Sequence, residues 1–280
     1  MCTEHVCRAG GKSVTRRAAV TGGAALAASG VAAALSRPSA AAAISPAGPA
    51  AARHGLIDLT HPLTTTFPVY SLGEEPVRRT VTTIEDDGYY MQRWRLYEHT
   101  GTHVDAPVHF SAGGRYATEL TVEELRAPAA VVDISRRAAR DPDTVVTVDD
   151  LRTYERRHGR IPRRAAVLMH SGWADKVHDP DAYRGVDEDG NLHFPGFGAE
   201  ACEWLVHQRG VGCLGVDTLS TDRGLSTTFA VHLVLAEADR YGLENLAGLG
   251  CLPPSGARIT VGLIPLERGS GGPARVVARW

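Results

Sequence analysis

The stretch His99-Thr100-Gly101-Thr102-His103-Val104-Asp105-Ala106-Pro107-Val108-His109-Phe110 sets three histidines and one aspartate within eleven residues. Thr100, Thr102 and Val104 are β-branched, Gly101 is a poor helix former and Pro107 breaks a helix, so the stretch reads as extended backbone. With a period of two, His99, Gly101, His103 and Asp105 share one face of that strand. On this reading Gly101 removes a side chain between two imidazoles and leaves space for an ion. Imidazole with carboxylate, and no cysteine nearby, suits a divalent cation, Zn2+ or Mn2+, in an open catalytic site rather than a closed thiolate one. His109 lies beyond Pro107 and is the weaker ligand candidate. Standing off the ion, it would serve as general acid and base, because its unperturbed pKa is about 6.5.

Around this stretch, apolar runs rich in β-branched residues predict strands at 131–134, 165–169, 211–216, 259–264 and 275–277. Helical spacing runs over 148–157, 199–209 and 228–238. Residues 63–67 and 81–84 make the N-terminal third richer in strands than helices. Strands interleaved with helices define an α/β chain, a mixed sheet with packed helices. No Gly/Ser-rich or Pro-rich linker interrupts the chain after Leu56, so 55–280 reads as one domain.

With 43% hydrophobic and 22% charged residues, the composition excludes a collagenous, disordered or coiled-coil chain. Thirty basic and 32 acidic residues give a net charge of -2 with no long single-sign block, which argues against nucleic acid as a partner. The first 43 residues read differently. Arg16-Arg17 precedes Ala18–Leu35, a weakly hydrophobic run of mostly Ala, Gly, Val and Leu, with Ser39-Ala40-Ala41-Ala42 beyond it. That run is too weakly apolar for a spanning helix and resembles a cleavable twin-arginine export signal. The expectation is an exported, extracytoplasmic protein without stable membrane insertion after cleavage, with 44–54 as a flexible lead-in. Cleavage removes five basic residues and one acidic residue, which shifts the net charge to -6. It leaves Cys202, Cys213 and Cys251, an odd number that forms no complete disulfide set.

The stretch from His99 to Phe110 resembles, at every fixed position, the H-x-G-T-H-x-D-x-P-x-H-F signature of the cyclase family of metal-dependent hydrolases, which includes bacterial kynurenine formamidase and isatin hydrolase. Ile57-Asp58-Leu59-Thr60-His61-Pro62-Leu63 is similar to the family's opening strand, and Phe194-Pro195-Gly196-Phe197 to its loop ahead of a helix. Gly215-Val216-Asp217-Thr218-Leu219-Ser220 and the pair His232 and Glu244 extend the likeness over almost the whole chain after the leader. By itself, a histidine on the apolar face of 228–238 reads as a core residue; only the resemblance makes it a ligand.

The resemblance implies a swivelling β/β/α-type fold, a homodimer or homotetramer, and one or two divalent ions per chain. It makes His99, His103, Asp105, His232 and Glu244 metal ligands and His109 the proton carrier. The implied reaction is hydrolysis of a small amide, formamide, lactam or lactone, isatin-like or N-formylkynurenine-like, by metal-activated water. Two departures stand out. Ser171-Gly172-Trp173 replaces a Thr-Gly-Trp common in the family and keeps the hydroxyl. The export signal weakens an intracellular tryptophan metabolite as substrate without weakening the chemistry.

Asp217 and Ser220, at a strand end, are candidates to orient ligands, with a turn or helix cap as the plainer role for Asp217. Phe67, Trp94 and Phe110 are candidates for substrate stacking, with core packing as the plainer role. Two other functions fit the same ligands: a cyclase or dehydratase acting on a polyketide-like substrate, and an exported metal-binding protein without turnover.

Overall fold

The computed structural model describes residues 55–280. The leader over 1–43 and the lead-in over 44–54 lie outside the described residues. The first half runs β1 (Leu56–Asp58), β2 (Val77–Thr82), α1 (Ile84–Asp87), β3 (Met91–Arg95), β4 (His103–Asp105), β5 (Arg126–Asp133), α2 (Ser135–Ala138), β6 (Val145–Val146) and α3 (Val148–His158). It continues with β7 (Ala166–His170), α4 (Pro180–Arg184), β8 (Gly196–Phe197), α5 (Ala199–Trp204), β9 (Cys213–Val216), α6 (Ala230–Glu237), β10 (Tyr241–Glu244), β11 (Arg258–Leu263) and β12 (Gly271–Arg279).

Eight strands form one mixed sheet in the order β1, β12, β11, β5, β7, β9, β10, β4. Because β4 also pairs with the first residues of β12, the strands from β12 round to β4 close into a ring. The pairs β5–β7, β7–β9 and β9–β10 are parallel, and each is joined through a helix, α3, α5 and α6 in turn. Parallel neighbours need such a crossover. The remaining pairs of this sheet are antiparallel.

The central strands read as unbroken apolar runs because both of their faces are buried. Along β7, Ala166 and Leu168 join one core with Leu243, Leu246 and Val276. Val167 and Met169 join the other, against Leu151, Leu205, Val231 and Leu235 of the helical layer. At about 1.5–3 kcal/mol per fully buried side chain, this packing holds α6, whose eight residues are too few to be helical alone. Thr147 and Asp150 close a capping box at the start of α3, and Gly159 ends it.

All five expected strands and all three expected helices are present, with shifted ends. The N-terminal third is richer in strands than helices, as expected, but two of its segments differ from their reading. Residues 63–67 form a turn, not a strand: the Phe67 amide donates to the Thr64 carbonyl at 3.3 Å, and the Thr64 and Thr66 hydroxyls lie 3.3 Å apart. Local bonds of this kind compete with a sheet ladder. The strand expected at 81–84 ends at Thr82, because Thr83 caps α1 by accepting the Asp86 amide.

The extended reading of 99–105 holds only for His103–Asp105. Gly101 has φ +72°, and a Cβ built on it would meet Leu63 Cδ1 at 3.1 Å. The glycine therefore makes a left-handed turn against Leu63; it does not clear ion space between imidazoles. Replacing Gly101 with Ala forces a Cβ into that conformation and is expected to cost about 1–2 kcal/mol. Urea unfolding of the purified variant measures this, and unchanged stability would contradict the turn.

Candidate metal centre

Strand β4 has three residues and partners on both edges. Against β10, His103 pairs with Glu244 and Asp105 with Gly242; against β12, His103 pairs with Pro273 and Asp105 with Gly271. Both register partners of Asp105 are glycines, so no neighbouring side chain competes for the space around its carboxylate. His103 and Asp105 are two residues apart and face the same side. The turn at Gly101 brings His99 beside them, and α6 presents His232.

His99 Nδ1 lies 2.6 Å from Asp105 Oδ1, and His103 Nε2 lies 3.2 Å from the same oxygen and 3.4 Å from Glu244 Oε2. His232 Nε2 lies 3.4 Å from Asp105 Oδ2 and 3.2 Å from Glu244 Oε1. The exposures of His103, Asp105, Glu244 and His232 are 2, 5, 5 and 8%, so water screens little of their charge. These atoms form two sets of three, His99, His103, Asp105 and Asp105, His232, Glu244, with Asp105 common to both.

Burial opposes ionisation throughout the cluster, and the neighbours decide the outcome. Burial pushes the His103 imidazole down, but the Asp105 and Glu244 carboxylates and the Gly101 carbonyl push it up to about 9. His232 is likewise raised, by Asp105, Asp222 and Glu244 against its burial. Asp105 is held below the usual carboxylate range because the three histidines outweigh its burial. Glu244 is raised, first by burial and then by the Asp105 charge.

The donor set fits a divalent cation. His103 Nδ1 donates to the Gly101 carbonyl at 2.8 Å, which leaves Nε2 as the ring nitrogen that faces the cluster. That nitrogen and Asp105 Oδ2 are buried without a hydrogen-bond partner. Buried polar atoms in this state are rare, and these two point toward the other candidate ligand atoms. Imidazole nitrogen and carboxylate oxygen without thiolate suit Zn2+ or Mn2+.

His109 ends a short turn that starts at Pro107, and its ring stacks on His99 at 3.8 Å. Among the described residues it makes no close carboxylate contact of the kind His103 and His232 make. Burial lowers its pKa to about 4. Phe110 borders the cluster, with ring centroids 4.6 Å from His109 and 4.5 Å from His232. Among the described residues no ring contact joins Phe67 or Trp94 to the cluster. Phe67 packs near His61, and Trp94 lies on the β2–β3 hairpin under Arg78.

Among the described residues, no hydrogen bond joins the Asp217 carboxylate to a ligand candidate. Its carboxylate accepts the amides of Ser171 and Gly172 and the Ser171 hydroxyl, and so ties the turn after β7 to the end of β9. The plainer reading of Asp217 is the one the geometry supports. Ser220 Oγ accepts the Asp222 amide at 3.2 Å and so acts on the chain beside His232. Sequence reading missed Thr221, Asp222 and Phe229. Thr221 and Asp222 directly follow Ser220, but nothing in their spacing marked them. Phe229, just before α6, approaches Phe110 at 5.4 Å and His232 at 5.9 Å.

Residues 57–223 match the family model described as "Putative cyclase". The isatin hydrolase of Roseibium aggregatum is 32% identical over 240 residues, which cover 80% of this chain and 90% of that protein. The kynurenine formamidase of Salinibacter ruber is 26% identical over 228 residues, covering 80% and 97%. Among solved structures, isatin hydrolase A from Ralstonia solanacearum aligns with a TM-score of 0.76 at 35% identity, covering 81% of this chain and 92% of its own. With the family model over more than half of its length and the His, Asp and Glu cluster assembled as that signature requires, this protein belongs to the cyclase family of metal-dependent hydrolases.

Proposed function

We propose that this protein hydrolyses the C–N bond of a small amide, formamide or lactam, isatin-like or N-formylkynurenine-like, with a lactone as the related ester substrate. The observation that carries this reading is the pair of buried ligand sets sharing Asp105, with a further histidine stacked beside them. His99, His103 and Asp105 would hold one ion, and Asp105, His232 and Glu244 a second, Zn2+ or Mn2+. A bound ion there would polarise the scissile carbonyl and lower the pKa of water to about 7.

The chain's own residues supply the rest. His109, stacked on His99 beside the two ligand sets, would accept the proton of attacking water and pass it to the departing nitrogen. Phe110 and Phe229, half-buried beside His232, form an apolar wall that suits a flat substrate. The polyketide-type cyclase and the turnover-free metal-binding protein are the weaker readings, since the relatives named above are hydrolases. Export by the twin-arginine route and assembly as a homodimer or homotetramer belong to the same proposal. The β2–β3 ribbon supports assembly: among the described residues it pairs with no other strand and exposes Val77, Val81, Tyr89, Tyr90 and Met91. A lone hairpin of this kind is marginal in water.

Elemental analysis of protein purified without added metal or chelator is expected to give about two equivalents per chain, Zn or Mn by the dominant element. His103→Ala and Asp105→Ala should lose both metal and turnover, whereas His109→Ala should keep its metal and lose about 10²–10⁴-fold in kcat; full activity in any of the three would defeat the assignment. Hydrolysis of isatin or N-formylkynurenine in ¹⁸O-water should place one solvent oxygen in the product carboxylate, and product without label would favour the cyclase or dehydratase. Arg16→Lys with Arg17→Lys should retain the protein in the cytoplasm, and the exported wild type should elute on gel filtration as a dimer or tetramer. A monomer, or unchanged export, would remove that part of the proposal.

A further inference from the structure

We propose that Asp222 is the positioning residue of the second ligand set: it fixes which ring nitrogen His232 presents to Asp105 and Glu244. This rests on the metal-dependent reading above. Asp222 is 3% exposed, and its Oδ2 lies 2.7 Å from His232 Nδ1. A carboxylate only accepts, so Nδ1 carries its proton toward Asp222 and Nε2 is the nitrogen left to face the cluster and any ion bound there. That is the nitrogen 3.4 Å from Asp105 Oδ2 and 3.2 Å from Glu244 Oε1. An imidazole held this way is both oriented and made a better donor.

The neighbouring residue orients the other member of the pair. The Thr221 amide donates to Glu244 Oε1 at 2.7 Å. Two consecutive residues therefore aim His232, on α6, and Glu244, at the end of β10. The backbone of this dipeptide is fixed in turn. The Phe197 amide donates to the Thr221 carbonyl at 2.8 Å, and Phe197 and Asp222 form an isolated parallel bridge. Gly196 lies so close to the Asp222 and Arg223 backbone that a Cβ there would collide with it. Ser220 Oγ accepts the Asp222 amide. The Phe194-Pro195-Gly196-Phe197 loop and Ser220 thus brace Asp222, which gives both sequence features a physical role.

Asp222 also accepts the amides of Val231 and His232 at 3.1 Å each, and so caps α6. Oδ1 accepts the Val231 amide, whereas Oδ2 accepts both the His232 amide and Nδ1, so an Asn that turns its carbonyl to the Oδ2 position would still hold the ring. A cap alone and a cap that also aims His232 make different predictions for Asp222→Ala, which removes every acceptor. Loss of the cap alone costs stability and leaves the second ligand set as it was; loss of the aim frees the His232 ring and weakens that set.

Cobalt(II) titration followed by visible absorption reads the two ligand sets separately. Wild type should bind in two steps. Asp222→Ala should keep the first, at His99, His103 and Asp105, and weaken the second by about 10- to 100-fold. Circular dichroism and melting of the purified variant check that the fold survives. Should Asp222→Ala fail to fold, Gly196→Ala provides the second route: it displaces the backbone of residue 222 without altering any ligand, and should weaken the second step alone. Two steps of unchanged affinity in a folded variant would overturn the proposal and leave the metal-dependent reading intact. A wild type that takes up no cobalt would overturn both.

Discussion

Two carboxylates, Asp105 and Glu244, are buried beside the same two imidazoles, His103 and His232, and the arrangement of the site answers to that burial. An ionised carboxylate removed from water is tolerated only when charge and hydrogen bonds replace its hydration. Here the replacements are His99, His103 and His232 around Asp105, and the Thr221 amide with His232 around Glu244. The raised pKa of Glu244 and the lowered pKa of Asp105 are two sides of one competition for those partners. A divalent cation would relieve both carboxylates at once, and the unpartnered atoms His103 Nε2 and Asp105 Oδ2 are where the relief is needed.

The closed sheet makes that concentration of charge possible. A three-residue strand would fray at a free edge, but β4 is bonded on one side to β10 and on the other to β12. His103 and Asp105 are therefore held by backbone ladders on both flanks. The helical layer adds His232 from α6, whose packing through Val231 and Leu235 is independent of the metal centre. Catalytic geometry of this kind is better kept on strands and a packed helix than on loops.

Much of the site was legible before the fold was known. The spacing of His99, His103 and Asp105 marked a metal site by residue type alone, and Pro107 separated His109 from it. His232 and Glu244 were legible only by resemblance, because a histidine on an apolar helix face looks like core and a glutamate ending a strand carries no periodic signal. The central strands and helices were legible because burial on both faces leaves a dense apolar record, as at 165–169. The turn at 63–67 was not: β-branched residues suit a strand, and side-chain hydrogen bonds among the threonines decide against it.

By itself, then, the order of residues determined which donor atoms are available, and that they are nitrogens and oxygens suited to a divalent cation. It also determined that the chain alternates strands with helices, since both follow from side-chain chemistry and short-range periodicity. Only the tertiary structure decided that Gly101 serves a left-handed turn against Leu63, that Asp217 holds the turn after β7, and that Asp222 faces His232. The first two depend on which strands become neighbours, and the third on how the segment after β9 is held against the start of α6. The contacts between Gly101 and Leu63, Asp217 and Ser171, and Gly196 and Asp222 join residues 26 or more positions apart, beyond the reach of any local pattern. Ring closure through β4 and β12 brings together segments that the chain separates by more than 160 residues.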